Sequence, residues 1–587
     1  MMLAAGAASG MTATVTPSTP SPVHVGTPVT FAASSPDAAA GTLWYRFRVR
    51  RPGAEYQMIR DFGPDSALTW TDSAHEGVFD MEVTIRNVDT GDVASAVLPY
   101  LFQSLVVGGQ PAVTPTANPL VFLFSAPPCP AGSRMRVAFA PGSLAIRTAR
   151  KQAAETGTTQ YTPFHNCTPA LSMNFYLAGM QAESSYVARA IVDTGTDIVS
   201  GAEVEFTTGK VSAALYSDTI QTPYVGTSSD PVLLGSPLGG HPVAHDLAGN
   251  VIWYGPDNLG MVTRPVAGGD LWSIVEVYGA DPTHQLLNRF DLAGTLVVGT
   301  NAARVNEQLK ALGKRQITGF HHEARSIAGG RVVALAGVEQ VLTDVQGPGP
   351  VDVLGDMILV LDKNLNVVWT WDAFDNLDPH RMAVLGETCP SACPPIQLAK
   401  SANDWTHGNA VQETPDGNLL YSTRHQDWLV KISYDGGMGD GHILWRLGKD
   451  GDFTMKSSDP YPWFSHQHDG NVVSSDGTRL MVFDDGNTRV AAMGGGHSRG
   501  QELKLDEQSL TATPLLNVDL GVYAIAVGSA QHLRNGDAHF DAGFVQENNT
   551  IDSYSYEVDR TGKINYVAHQ NAILYRTFRM SDLYTPN

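Results

Sequence analysis

What most constrains this chain is a tight turn that returns at a nearly fixed interval. Turn dipeptides between apolar runs occur at Gly268-Gly269, Gly329-Gly330, Asp416-Gly417, Asp476-Gly477 and Asn535-Gly536, with final glycines 61, 87, 60 and 59 residues apart. Such dipeptides accept positive φ and suit two-residue hairpins. A second phrase interleaves with them: an Asp, then a Gly or Asn, then a strand that often carries Trp. Its copies start at Asp246, Asp291, Asp362, Asp435, Asp506 and Asp559. A unit of about 60 residues holding two hairpins describes one blade of a β-propeller, and six units across 212–587 predict six blades. The long interval carries an extra loop over 375–402, and a short helix is expected near 302–312.

The first two hundred residues read differently. Tyr45, Phe47 and Val49 alternate with Arg46, Arg48 and Arg50, and Phe79, Met81, Val83 and Ile85 alternate with Asp80, Glu82, Thr84 and Arg86. Period two with one polar face predicts antiparallel sheet. Gly108-Gly109-Gln110-Pro111 divides the stretch into two modules of the size of an immunoglobulin-like β-sandwich, 12–108 and 109–210. The expected fold class is therefore all-β: a six-bladed propeller over 212–587 preceded by two immunoglobulin-like modules that act as spacer or platform.

Composition excludes several functions. Hydrophobic residues make up 43% of 587, and 38 basic against 59 acidic residues leave a net charge of −21 with no basic run. Neither a nucleic acid nor an anionic membrane suits that balance as a partner. No apolar stretch reaches the roughly 18–20 residues of a membrane helix. Four cysteines fit two disulfides, Cys129 with Cys167 and Cys389 with Cys393, which suits an oxidising compartment. The expected location is periplasmic or extracellular, although Met1 to Gly10 lacks the charged start of a signal peptide.

The chemistry concentrates in histidine. His322, His407 and His468 lie 8, 10 and 9 residues before their turn glycines, at the start of successive first strands. Any one of the 18 histidines would by default be a satisfied core or surface residue. Recurrence at matched strand positions argues for a shared pocket, though spacing alone does not separate His322 from His321 or exclude His466. Arg424 follows Gly417 by seven residues, so the antiparallel return brings it beside His407. Three imidazoles and a guanidinium form an anion site in which one imidazole can act as nucleophile and another can move a proton.

The stretches WTHGNAVQETPDGNLLYSTRHQDWLVKI (405–432), ILWRLGKDGDF (443–453), SHQHDGN (465–471) and VFDDGNTR (482–489) carry a resemblance. With HHEARSI (321–327), HSRGQELKLDE (497–507) and ILYRTFRMSDLY (573–584), they resemble the bacterial aryl sulfotransferases that use aryl sulfates instead of a phosphoadenosine donor. The resemblance covers about 212–587 and implies a six-bladed propeller. It implies that His468 is a nucleophile sulfurylated on its imidazole, and that His407, Asn409 and Arg424 bind and polarise the sulfuryl oxygens. His322 is implied as the remaining active-site histidine, with His321 as its unresolved neighbour. The Cys389/Cys393 pair is similar to a short-range disulfide near that family's active site, although here it lies upstream of His407.

The expected activity is sulfuryl transfer from an aryl sulfate to a phenol, with these two small molecules as partners and no cofactor or metal. A homodimer is compatible with the sequence. Trp405, Trp428, Trp463 and Phe464 flank the motifs as candidate ring-stacking groups or as packing aromatics, and Trp405 is the one expected to bind substrate. Two rivals stand beside this reading. One is a propeller hydrolase or lyase on the same histidines and arginine, with or without a metal. The other is a non-catalytic propeller that binds glycan or protein.

Overall fold

A computed structural model describes residues 10–142, 159–276, 281–390, 395–547 and 549–587. The chain is all-β with a few short helices. It divides into two compact units, 1–212 with 289–304, and 213–288 with 305–587.

The first unit holds two pairs of sheets, each pair closed over its own apolar core. In the first, strands Leu43–Arg50 and Gly77–Asn87 pair antiparallel, and the expected alternation decides what is buried. Phe47, Val49, Met81, Val83 and Ile85 join Phe31 and Trp70 of the facing sheet in the core. On the outer face Arg48 stands opposite Glu82 and Arg50 opposite Asp80, at 2.5 and 3.0 Å. The second pair packs Phe122, Phe124 and Phe175 against Met135, Val137 and Phe139. There the Cys129–Cys167 disulfide bridges 38 residues of sequence. Cys389 is buried beside Leu354 and Ala402, but Cys393 lies outside the described residues, and with it the expected second bridge.

One difference from the expected boundaries is an insertion. The strand Leu296–Asn301 pairs in parallel with Gln57–Gly63, Asn301 Nδ2 donates to Phe62 O at 2.8 Å, and Arg304 meets Asp61 at 3.3 Å. The segment 289–304 therefore groups with the first unit, which interrupts the continuous 212–587 domain read from the sequence. The expected helix follows as Ala302–Ala311.

The second unit is a succession of antiparallel meanders. Their recurring Asp has a local job: the carboxylates of Asp246, Asp362 and Asp559 each accept backbone N–H bonds from residues two and four further on. That ties the turn before the next strand. The first strands of successive meanders lie side by side: Met261–Val266, Gly319–Ile327, Gly408–Glu413, His468–Val472 and Ala524–His532. The series continues to Leu574–Met580, which pairs with Val232–Pro237, while Asp218–Thr222 pairs with Ile564–Gln570. Arg576 Nη1 donates to Thr263 O at 3.0 Å, so the last of these strands returns to the first. Among the described residues no helix is long and apolar enough to cross a membrane.

Candidate active site

Each of the three histidine-bearing first strands breaks its ladder at the histidine. The register slips between His321 and Ala324, between Gly408 and Ala410, and between His468 and Asn471. In or beside these bulges His322, His407 and Asp469 take φ of 56°, 46° and 52°. A left-handed residue other than glycine costs about 1–3 kcal/mol, and a bulge re-aims the side chain it carries. Three costly distortions at matched positions place the imidazoles on one side. The rings of His321 and His322 lie 5.1 Å apart, His322 and His407 4.9 Å, His407 and His425 4.5 Å, and His425 and His466 5.6 Å.

The hydrogen bonds then distinguish these rings. His468 is 2% exposed, and its Nδ1 lies 2.7 Å from Asp485 Oδ2. Burial, with the charges of Arg424 and His407 behind it, holds the His468 pKa well below the ordinary imidazole value. His407 Nδ1 is 2.6 Å from Asp404 Oδ2, which leaves Nε2 toward the cluster. His322 Nδ1 meets His321 Nδ1 at 2.9 Å, and His321 Nε2 lies 3.0 Å from Asp356 Oδ1. Burial alone would lower the His321 pKa, but Asp356, Glu276 and Asp404 raise it. His322, desolvated and facing His407, is held well below the usual range.

His466 has no spare lone pair. Its Nε2 is bound to Glu387 and its Nδ1 lies 2.9 Å from Asp427, two carboxylates that raise its pKa against the effect of burial. Both of its nitrogens are committed to structural contacts.

Arg424 begins a short helical turn after Leu419–Thr423, and its backbone N–H donates to His407 O at 3.3 Å. Its Nη2 donates to Ile525 O at 3.0 Å and its Nη1 to His425 Nε2 at 2.7 Å. A guanidinium cannot accept, so His425 must present a bare Nε2, and its Nδ1–H donates to Asp404 O at 2.7 Å. Arg424 Nε is buried and has no hydrogen-bond partner among the described residues. That spare donor suits an oxyanion.

Two sequence assignments change. Trp405 is fully buried, donates from Nε1 to Arg381 O at 2.7 Å, and packs 5.2 Å from the Phe374 ring. It is therefore a core aromatic and not a substrate platform. His321, also fully buried, turns Nε2 to Asp356 and Nδ1 to His322, so both of its nitrogens are engaged within the protein. Asn409 is buried as well: Nδ2 donates to Gln467 O at 2.7 Å, and Oδ1 has no partner among the described residues. The sequence reading missed Asp404, Asp485, His425 and Glu276. The first three lie within or beside the motif stretches, and Asp485 is the second Asp of VFDDGNTR. Glu276 had no signal; burial near His321 and His407 pushes its carboxyl up to about 7.

Beneath the histidines lies an ionic floor. Arg264 pairs with Glu323 at 2.8 Å and also with Asp469, while Arg576 meets Glu323 at 3.1 Å and donates to Asn409 O at 2.7 Å. Tyr575 Oη donates to His322 O at 2.6 Å. These contacts fix the backbones that present His322, Asn409 and His468.

Among the described residues two groups have metal-ligand geometry, Glu387/His425/His466 and Asp404/His407/His425. In both, His425 has each nitrogen engaged, one by the Arg424 guanidinium. A divalent ion would have to displace those bonds beside a fixed positive charge, so the donor set fits an anion better than a cation.

A family profile described as Arylsulfotransferase (ASST) matches residues 235–576. That is more than half of the chain and includes every residue of the site, so the chain belongs to this family. No curated protein matches the chain.

Proposed function

We propose that this arylsulfotransferase-family chain moves a sulfuryl group from an aryl sulfate to a phenol through a sulfohistidine at His468. The observation that carries the proposal is the His468–Asp485 contact beside the Arg424 cluster. With Nδ1–H donated to Asp485, Nε2 keeps its lone pair for attack on sulfur.

In the first half-reaction the Nε2–S bond forms and the aryl O–S bond breaks. The phenolate leaves with a proton from His407, and the sulfurylated imidazole keeps its Nδ1–H against Asp485, whose carboxyl pKa is held well above its ordinary range by burial. In the second half-reaction the acceptor phenol gives up its proton, its oxygen takes the sulfuryl group, and the N–S bond breaks. His407 is the proton carrier in both: with Nδ1 held by Asp404, its Nε2 gives a proton to the leaving phenolate and takes one back from the acceptor phenol. His322 has a different role. Charged His321 donates to its Nδ1, so His322 presents Nε2–H as a neutral donor to a sulfuryl or phenolate oxygen. Arg424 adds its Nε–H, which has no partner among the described residues.

The meanders of the second unit are read as the blades of a six-bladed propeller whose first strands carry the site. The two N-terminal sheet pairs are read as immunoglobulin-like platform modules. Export is supported by the Cys129–Cys167 disulfide, since disulfides persist in oxidising compartments.

The test is incubation with a chromogenic aryl sulfate, with and without added phenol, followed by intact mass. A gain of one SO₃ that phenol discharges, absent from His468→Ala, is the expected result. Turnover without phenol and without adduct would assign the site to a hydrolase instead.

A further inference from the structure

The strands that present the histidines at their beginnings carry a second set of side chains at their ends. A cavity of about 520 Å³ opens there, lined by Arg264, Arg325, Asn471, Val472 and Phe578 among others. Asp469 also lines it, one residue from His468, so the ionic floor separates the cavity from the imidazoles.

The charges of that floor are matched except for one. Arg264 and Arg576 are set against Glu323 and Asp469. Arg325 has no carboxylate within ion-pair distance among the described residues, and its one hydrogen bond, Nη1 to Asn471 Oδ1 at 2.7 Å, goes to a neutral group. Burial and the neighbouring Arg264 push its pKa down to about 10, which measures how poorly its charge is compensated. A half-buried guanidinium with unused N–H groups, facing a cavity, lacks an anion. The rest of the wall is mixed: Val266, Val472, Val473, Ala530, Phe578 and Met580 form an apolar part beside Ser326, Gln412, Ser474, Gln531, His532 and Thr577.

We propose that this cavity is a second binding site, distinct from the catalytic pocket, for a small organic anion: an arene bearing one sulfonate, sulfate or carboxylate group. The anionic head pairs with Arg325, and the ring lies against Val472 and Phe578. A cavity of this volume accommodates one such molecule.

Calorimetric titration of the whole chain with 2-naphthalenesulfonate, which has no transferable sulfuryl group, tests the proposal. Wild type is expected to bind at two sites. Arg325→Gln and Val266→Phe, one removing the charge and the other filling the space, are each expected to lose one site by about tenfold or more in affinity while keeping the sulfurylation burst. Arg424→Gln is expected to lose the other site. Benzoate is expected to bind at the Arg325 site, whereas the uncharged 2-naphthalenesulfonamide, or inorganic sulfate without a ring, is not. A single site in wild type, two sites retained in both cavity variants, or inorganic sulfate binding as tightly as the arene would overturn the proposal. Failure of the burst in wild type would concern the sulfohistidine reading alone.

Discussion

At His468 the decisive quantity is where one proton sits. A histidine with an ordinary pKa near 6.5 would lose its nucleophilic lone pair in mild acid. Here burial and Arg424 lower the value, so the ring stays neutral to more acidic pH. The rate of enzyme sulfurylation by a donor with a good leaving group should therefore hold from pH 8 to below pH 6; a rapid-quench burst that halves near pH 6.5 would contradict this. His425 gives a second prediction. It accepts from Arg424 and donates to Asp404 O, so it acts as a positioning residue for the guanidinium. His425→Leu should lower kcat by up to about 10², with a smaller effect on the donor KM, and His425→Gln, which can still accept, should recover much of it. Equal losses in both variants would reduce His425 to a packing role. The matched histidine positions were legible in the sequence, and protonation state was not, because Asp485 reaches His468 and Asp356 reaches His321 only through folding.

At the scale of the strand, the bulges do the positioning. Strict alternation would place each strand side chain on one sheet face or the other, and the left-handed backbone of His322 and His407 in or beside a register slip breaks that alternation. The middle residue of the His407–Asn409 motif is glycine because of close approach. A Cβ on Gly408 would come within 2.4 Å of Tyr421 Cε2 and 2.9 Å of Asp356 Oδ2, the carboxylate that accepts from Gly408 N at 2.7 Å. Gly408→Ala should cost about 2–3 kcal/mol and weaken turnover, seen as a lower Tm together with a smaller burst. An unchanged Tm would mean that Tyr421 moves aside freely. The spacing of His322, His407 and His468 from their turn glycines marked this arrangement in advance. Trp405 was misplaced because an aromatic beside a motif gives no indication of whether its backbone runs inside the sheet, where Trp405 N donates to Leu354 O at 2.9 Å.

At the scale of the molecule, the disulfide and the site belong to different units. Closing a loop of 38 residues restricts the unfolded chain by about 4 kcal/mol. The Cys129→Ser/Cys167→Ser double variant should therefore melt its first unit earlier in calorimetry while the sulfurylation burst keeps its amplitude. A proportional loss of burst would show that the catalytic unit depends on that bridge. By itself, the sequence determined whatever is encoded by neighbours a few residues apart: the β class, the repeat of tight turns, the alternating cores of the first unit, and the matched places of three histidines near strand starts. Only the tertiary structure decided what depends on contacts across hundreds of residues. Those include the pairing of Leu574–Met580 with Val232–Pro237, the excursion of 289–304, and Arg325 with no carboxylate in ion-pair distance among the described residues. Periodicity records which face of a strand is buried, but burial brings charged groups from distant strands together, and their pairing sets the electrostatics on which a reaction depends.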